Sequence, residues 1–537
     1  MSEPHIWEQN IHSAPELSFL RSVERTTRMF EDVTRRGDIT ITATSSGGTR
    51  INLHSPYNPW KEAERQCQSL PSYAPVVVVF GVGAAFIPRH IIAQRQESTV
   101  VAVERDPETL RMTLETIDLS RELQSQRLHL ACREDHFVKI LQEVLLLAPR
   151  GVPPILELTP WVQDEANRPA FDTFGDVYTA VLREREGELE TMERFGVPWL
   201  GHTLRNTLTR DLGRACGAQR IAGALAKRAV TVVGAGPQME TSPLENTVVA
   251  VDTITPTLKE RDVVPVLIAS IDTQSWSALH FRAPLPGTPV VAMDLAVPTG
   301  VHRNIPDDQC LWIGSSHPLH QLLYSAGAPL TTLPVATTSV GEAAVALIKY
   351  FGGTIHSTTG LDGTAPGAKL YARGTWLSQR AHRDASRLSP AEHRLTALVY
   401  DDMSPLPRAK DKPTSFTKPS FRARAAAIQA MVQSRQPEQF PSHRTPGSRG
   451  SRPFDARAFW HTHARELQAV AQRLRAAGDL SVLPVAKIHQ ALGTAGIAQL
   501  PTAIALHRRR TGQALVLTLP ETFEKISTFL FSVLNRY

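Results

Sequence analysis

The chain has 537 residues, 42% of them hydrophobic, so it is globular and too long for one core; two to four domains are expected. The formal net charge of +6 is uneven: Ser386–Tyr537 holds 22 Lys and Arg against 10 Asp and Glu, leaving the remainder net negative and giving no sign of nucleic acid as a partner. Four single cysteines (Cys67, Cys132, Cys216, Cys310), a polar start at Met1–His5 and no bilayer-length apolar run predict a cytoplasmic protein with reduced thiols and no membrane partner.

Residues 1–54 form an N-terminal segment with one expected helix, Glu16 to Arg35. Asp38–Thr44 and Arg50–His54 alternate apolar with polar side chains around Ser45-Ser46-Gly47-Gly48, the pattern of a hairpin. A helix is expected after Ser55-Pro56-Tyr57-Asn58-Pro59-Trp60. Pro75–Phe80 reads as a buried strand ending at Gly81-Val82-Gly83, and Thr99–Val103 as a second strand ending at Glu104. Glu104 lies 21 residues after Gly83, the spacing of a carboxylate that grips a ribose hydroxyl across a βαβ unit. With further strands at Arg127–Ala131 and Ile155–Leu158, residues 55–170 read as a Rossmann-like domain. It is either an adenosine or dinucleotide site or a scaffold that binds nothing, because a G-x-G without a third glycine does not decide. Residues 171–227 carry helical periodicity (Val177, Val181, Leu182, then Leu204, Leu208, Leu212) and form a bridge in which Trp199 and Asn206 either pack or face a site.

Residues 228–385 alternate short apolar runs with helical segments, the signature of a mostly parallel sheet covered on both faces. Val230-Thr231-Val232-Val233 stops at Gly234-Ala235-Gly236-Pro237, and Val248–Asp252, Val266–Asp272, Val290–Asp294 and Cys310–Ser316 follow. Ligands of such sheets sit beyond the strands' carboxyl ends. The glycine turn, Asp252-Thr253, Asp272-Thr273-Gln274, Asp294, Gly314-Ser315-Ser316 and Gly360-Leu361-Asp362 should therefore share one edge. A lone strand-end Asp commonly caps a helix; several polar strand ends together favour a nucleotide-using site.

Residues 404–453 hold eight prolines and only two acids, Asp411 and Glu438, the composition of a flexible basic linker. Residues 454–537 read as a helical module, with Leu467, Val470, Ala471 and Leu474 at helical spacing. Arg508-Arg509-Arg510 reads as a solvated face.

Val232–Pro237, Val251-Asp252-Thr253, Ile271-Asp272, Thr338-Ser339-Val340 and Gly360-Leu361-Asp362 resemble, in order and spacing, the motility-associated factor flagellin glycosyltransferases. That family shares its central domain with archaeal 6-hydroxymethylpterin diphosphokinases. Upstream, Ser55-Pro56-Tyr57, Glu62-Ala63, Phe80–Gly83, Val103-Glu104 and Trp199–Asn206 agree as well. The family's Gly-Pro-Ser-Leu is Gly236-Pro237-Gln238-Met239 here, and its Pro-Asp before the third strand is Pro265-Val266. The resemblance implies an α/β protein: a Rossmann-like N-terminal domain, a central sialyltransferase-like α/β domain that binds a nucleotide sugar, and a helical C-terminal domain. It also implies transfer of a nonulosonic, sialic-acid-like sugar from a CMP-activated donor to Ser or Thr hydroxyls of flagellin.

A departing CMP passes through an oxocarbenium-like transition state, so the enzyme must hold cytidine, stabilise the leaving phosphate and place a hydroxyl opposite it. Backbone N–H groups at Gly234–Gly236, in the turn that Pro237 closes, and at the helix opened by Ser339 suit the phosphate without a metal or other cofactor. Asp252, Thr253 and Gln274 suit ribose and base, and Ser315, Gly360 and Tyr371 complete the nucleotide set. Asp272 or Asp362 orients or deprotonates the acceptor, and His356 is either an acid–base group or a packed strand histidine. Two alternatives stay open: pyrophosphoryl transfer from ATP to a pterin alcohol, with Asp252 and Asp272 on Mg²⁺, and a non-catalytic flagellar assembly factor.

Overall fold

Three short strands near the N-terminus, β1 (Met29–Val33), β2 (Ile39–Thr44) and β3 (Arg50–Asn52), pair antiparallel in that order in the computed structural model. It describes residues 4–26, 29–44, 48–96, 98–145, 152–159, 161–212, 217–244, 246–315, 317–333, 337–407, 413–434, 454–480, 483, 485–507 and 515–536. β2 and β3 are the expected hairpin. β1 replaces the second half of the helix expected over Glu16–Arg35, which shrinks to a 3-10 turn at Pro15–Ser22. Pairing from Met29↔Ala43 to Val33↔Ile39 satisfies the β1 backbone along β2 and buries Met29, which outweighs the helical spacing. A helix not anticipated, Pro4–Ser13, is tied down by buried Asn10. Its Nδ2 donates to the carbonyls of Leu114 and Ile117, and its Oδ1 accepts the Leu119 N–H.

β4 (Val76–Phe80), β5 (Thr99–Val103), β6 (Leu128–Ala131) and β7 (Ile155–Glu157) make a wholly parallel sheet in the order β6-β5-β4-β7. Val76–Phe80 and Thr99–Val103 are buried throughout, as central parallel strands must be. Asn58 and Asp106 start helices Pro59–Cys67 and Pro107–Thr116 by accepting the Lys61 and Thr109 N–H groups, each with proline at the first turn. These elements lie in the first of two compact units, Met1–Arg194 with Glu466–Ile497 and Ala503–Ile526.

The second unit comprises Phe195–Arg465, Ala498–Thr502 and Ser527–Tyr537. Its core is a seven-stranded sheet of β8 (Ala229–Val233), β9 (Thr247–Val251), β10 (Leu267–Ser270), β11 (Val290–Asp294), β12 (Cys310–Gly314), β13 (Thr331–Thr332) and β14 (Thr354–Thr359). All pairs are parallel and the order is β13-β12-β11-β10-β9-β8-β14. Helix Val340–Tyr350 is buried from Gly341 to Ile348, so it needs cover on the side away from the sheet. Helix Pro419–Gln433 supplies that cover, with Ile428 3% exposed.

That helix corrects the expected linker over 404–453. Its described part also holds β16 (Ser404–Pro405) and β17 (Ser415–Thr417), which pair with β15 (Ala365–Pro366) in a small antiparallel sheet ordered β15-β17-β16. Composition suggested a linker because the apolar face of Pro419–Gln433 is narrow; the neighbouring helix's need for cover holds it in place. Residues 435–453 lie outside the described residues, as do Arg508–Arg510 and Cys216; Cys67, Cys132 and Cys310 are free and buried.

The bridge is helical as expected, Arg168–Thr209 and Gly217–Leu225. The C-terminal stretch is helical too: Ala456–Ala476, Val485–Ala498, Leu500–His507 and Leu515–Leu534. Its residues belong partly to each unit rather than to a third one, and Leu467, Val470, Ala471 and Leu474 are wholly buried. Among the described residues no helix is long and apolar enough to cross a membrane.

Candidate nucleotide site

Because the seven strands are parallel, Gly234–Pro237, Asp252, Asp272, Asp294, Ser315 and Gly360 all follow carboxyl ends on one edge of the sheet. The strands from β8 to β13 run outward in one direction and β14 returns to the other side of β8. The topological switch, where open α/β sheets usually bind ligands, is therefore between β8 and β14.

That crevice is closed by the chain itself. The Gly234 N–H donates to the Thr359 carbonyl at 2.8 Å and the Gly236 N–H to the Gly360 carbonyl at 2.9 Å. A Cβ on Gly234 would lie 2.3 Å from the Gly360 oxygen, and Gly360 has φ +68° with Gly234 O 2.7 Å from its own notional Cβ. The glycines permit two backbones to touch, and two of the three amides expected on a phosphate, those of Gly234 and Gly236, are already used. Pro237 is buried and opens the 3-10 turn Pro237–Glu240. Gln238 donates from Nε2 to Thr364 Oγ1, which in turn donates to exposed Asp362. Tyr371 is half-buried, its phenol raised by burial against the opposing Arg424.

The second expected phosphate seat is likewise self-satisfied. Ser339 Oγ accepts the Glu342 N–H, and the buried Glu342 carboxylate accepts from the Thr338 N–H and hydroxyl. This arrangement, close to a capping box, places a carboxyl group where an incoming anion would have to sit. His356 is exposed beside a register shift in edge strand β14, so the packed-histidine alternative does not hold.

Unspent groups gather one strand further along, at β9 and β10. Buried Asp252 accepts the Thr253 N–H and hydroxyl on Oδ1 and the Ser270 hydroxyl on Oδ2 at 2.7 Å. Burial raises its pKa; the nearby His280 and the Ser270 and Thr253 hydrogen bonds oppose the rise, and Asp272 adds to it. Asp272 accepts the Gln274 N–H at 2.9 Å and its Nε2 at 3.1 Å. The turn Ser275–Phe281 packs against Asp252–Ile254 and helix Thr255–Glu260. Buried Thr255 Oγ1, Thr273 Oγ1, Gln274 Oε1, Ser277 Oγ and His280 Nδ1 have no hydrogen-bond partner among the described residues. Buried polar atoms are nearly always paired, so such a cluster marks a place built for a ligand or ordered water. Of these residues the sequence points to Gln274 as a ligand contact and to Thr273 as part of the strand end Asp272-Thr273-Gln274. The mostly polar run Asp272–Ser277 directly after an apolar strand is the available signal for Ser277.

In the first unit the corresponding turn is filled. Glu104, fully buried, accepts the Val82 N–H at 3.0 Å, the Trp161 indole N–H at 3.0 Å and the Asp106 N–H at 3.2 Å. Burial pushes its pKa up to about 7 against those three donors. His54 Nε2 accepts the Ala84 N–H, and a Cβ on Gly83 would lie 2.4 Å from that nitrogen. A Cβ on Gly81 would lie 2.8 Å from that of Leu158. The close packing of Leu158 and His54 on the two glycines and the three hydrogen bonds to Glu104 favour the scaffold alternative.

No family model matches the chain. Its structure is similar to that of a MAf glycosyltransferase from Magnetospirillum magneticum AMB-1, with a TM-score of 0.52 over 99% of this chain and 96% of that one, at 13% identity. The chain has the fold of a MAf glycosyltransferase. An uncharacterized protein of Treponema pallidum (strain Nichols) is 28% identical over 162 residues, which are 28% of this chain and 41% of that protein. The match to that relative thus covers under half of its length.

Within this MAf glycosyltransferase fold, the ends of β11 and β12 carry a second network. Trp199, His202, Thr203 and Asn206 share one face of helix Arg168–Thr209 by their spacing. Asn206 Nδ2 donates to the Leu295 and Val297 carbonyls at 2.9 Å and its Oδ1 meets His302 Nε2 at 2.8 Å, so Asn206 packs. Asp294, buried at the end of β11, accepts the Ala296 N–H at 2.7 Å, and burial raises its pKa to about 7. Ser315 Oγ lies 2.8 Å from His320 Nδ1, whose Nε2 meets Thr203 Oγ1 at 3.1 Å. Sequence reasoning named Ser315 but not His320 or Thr203.

Proposed function

We propose that the protein is a glycosyltransferase that moves a nonulosonic, sialic-acid-like sugar from its CMP-activated form onto Ser or Thr hydroxyls of flagellin. The observation that supports this best is the cluster of unpartnered polar atoms around Asp252 and Asp272, in a chain that shares a MAf glycosyltransferase's fold along nearly its whole length. The sugar and acceptor classes rest on the resemblance carried by Val232–Pro237, Val251–Thr253, Ile271-Asp272, Thr338–Val340 and Gly360–Asp362.

Gln274 bears on the base. Its Nε2 donates to Asp272, so its unpartnered Oε1 is an acceptor. The exocyclic amine of cytosine offers a donor there; the corresponding uracil oxygen does not. Thr255, Thr273 and Ser277 supply hydroxyls for ribose and phosphate oxygens, and Thr253 Oγ1, whose proton goes to Asp252, accepts from a ribose hydroxyl. Asp272 orients or deprotonates the acceptor hydroxyl, with Asp362, exposed and held by Thr364, as the alternative carboxylate. No metal enters this scheme: the oxygens of Asp252 are engaged by Thr253 and Ser270 and those of Asp272 by Gln274, which disfavours a shared Mg²⁺ and with it the pterin-type reaction.

The test is thermal unfolding with CMP, UMP, S-adenosylmethionine, and ATP with and without Mg²⁺. A ligand at a hundred times its Kd stabilises the native state by about 2.7 kcal/mol. CMP should raise the melting temperature without metal and UMP should raise it less. A shift with Mg-ATP alone would replace this reading by pyrophosphoryl transfer, and a shift with S-adenosylmethionine would reopen the first unit as a site.

A further inference from the structure

His317, just beyond β12, is a hydrogen-bond donor with nothing to donate to among the described residues. Its Nδ1 accepts the Leu319 N–H at 3.2 Å, starting helix Pro318–Ser325. In a neutral ring the proton is then on Nε2. Burial, with His320 beside it, pushes the ring down to about 3, so it is uncharged in any physiological buffer. Nε2 is buried and has no partner among the described residues, although the residue as a whole is only half-buried. The Trp199 ring meets His317 edge-on with centroids 4.9 Å apart. One helical turn beyond Trp199, His202 Nδ1 is a second buried ring nitrogen without a partner among the described residues.

We propose that Trp199 and His317 line a subsite for a carbohydrate ring at the carboxyl end of β12, where His317 Nε2–H donates to an oxygen of the sugar. An uncharged donor suits a hydroxyl, ring or carbonyl oxygen better than a phosphate, which favours cationic or multiple donors. An indole offers the apolar face on which the C–H side of a pyranose rests. The subsite deepens the glycosyltransferase reading and rests on it: β9 and β10 would hold the nucleotide and β12 the sugar.

Two isosteric variants separate the two nitrogens of His317. Asn in its place keeps an acceptor near Nδ1 for the Leu319 N–H and is a good helix cap, but has no atom at Nε2. Gln reaches the Nε2 position and restores a donor. Wild type, His317→Asn and His317→Gln are titrated by calorimetry with CMP, with CMP–N-acetylneuraminic acid and with free N-acetylneuraminic acid. The expected result is that His317→Asn binds CMP as wild type does but binds the CMP-sugar about tenfold more weakly, the worth of one hydrogen bond. His317→Gln should recover most of the loss. Equal CMP-sugar affinity in wild type and His317→Asn overturns the subsite and leaves the nucleotide reading intact. If CMP fails to bind wild type, the nucleotide reading falls, and the free sugar decides: binding weakened by His317→Asn supports the subsite, and no sugar binding overturns it.

Discussion

Replacing Gly234 by alanine distinguishes a glycine that makes room for a ligand from one that makes room for the protein's own backbone. The added Cβ would lie 2.3 Å from the Gly360 carbonyl oxygen and 2.5 Å from Leu361 Cδ2, contacts that real Cβ atoms do not make. Relief requires β8 and β14 to separate beyond their ends, straining the Gly234-to-Thr359 and Gly236-to-Gly360 hydrogen bonds. Overpacking of this kind costs about 1–3 kcal/mol and each weakened hydrogen bond up to about 1 kcal/mol, so the loss is roughly 3 kcal/mol. For a unit of this size, at about 2.1 cal/mol/K per residue, that corresponds to a drop in melting temperature of roughly 5 °C. The assay is a thermal melt followed by far-UV circular dichroism, with Gly223→Ala as the control. Gly223 lies in helix Gly217–Leu225 with open space around its notional Cβ, and alanine there should stabilise by roughly 0.5–1 kcal/mol. Wild-type melting of Gly234→Ala together with lost CMP binding would refute the argument and restore the phosphate-cradle role.

Asp272→Asn keeps an oxygen for the Gln274 N–H but puts an amide nitrogen where Oδ2 accepts Gln274 Nε2, so melting should stay near wild type, CMP binding should weaken, and sugar transfer at saturating donor should fall by on the order of 10²–10⁴. Retained transfer, measured with CMP-sugar and flagellin, would clear Asp272 of a catalytic role. Glu104→Gln should change how stability responds to pH. The native carboxyl holds its proton to about pH 7 while the unfolded one releases it near 4.5, so the wild-type contribution is present at low pH and lost as pH rises through 4.5–7. The loss is on the order of 3 kcal/mol. The difference in stability between wild type and Glu104→Gln, from melts at pH 5 and pH 7.5, should therefore shift in favour of the variant as pH rises; a pH-independent difference would contradict the raised pKa.

The strands were readable where an apolar β-branched run ended in a turn residue. β4, β5 and β8 to β12 fall on such runs, because a strand buried on both faces has no freedom to be polar. Pro419–Gln433 was not readable as a helix. What holds it is the exposed back of Val340–Tyr350, whose demand for cover is a tertiary fact that the composition of residues 404–453 does not carry. β1 was misread for a related reason: Glu16–Arg35 has acceptable helical spacing, but its second half finds a strand partner in β2. In the candidate site, the parallel alternation was enough to put Asp252, Asp272, Asp294 and Ser315 on one edge. The state of the hydrogen-bonding groups was hidden, since the partner of the Gly234 N–H is on β14, far along the chain.

The two glycine turns make the same physical point from independent places. Gly81-Val82-Gly83 and Gly234-Ala235-Gly236 both follow a buried parallel strand, and both have the form that binds phosphates elsewhere. In the first, His54, Leu158 and Trp161 pack against the two glycines, and Glu104 is spent on Val82, Asp106 and Trp161. In the second, Thr359 and Gly360 take the Gly234 and Gly236 amides. Glycine after a strand licenses close approach and does not say what approaches; only the balance of donors and acceptors does. By that balance the edge is spent at β8 and β14 and unspent at β9 and β10, where five polar atoms lack partners among the described residues. It follows that variants of Gln274, Thr273 and Ser277 should alter ligand binding more than stability, and variants of Gly234 and Gly360 stability more than binding, the reverse of what the glycine motif taken alone would predict.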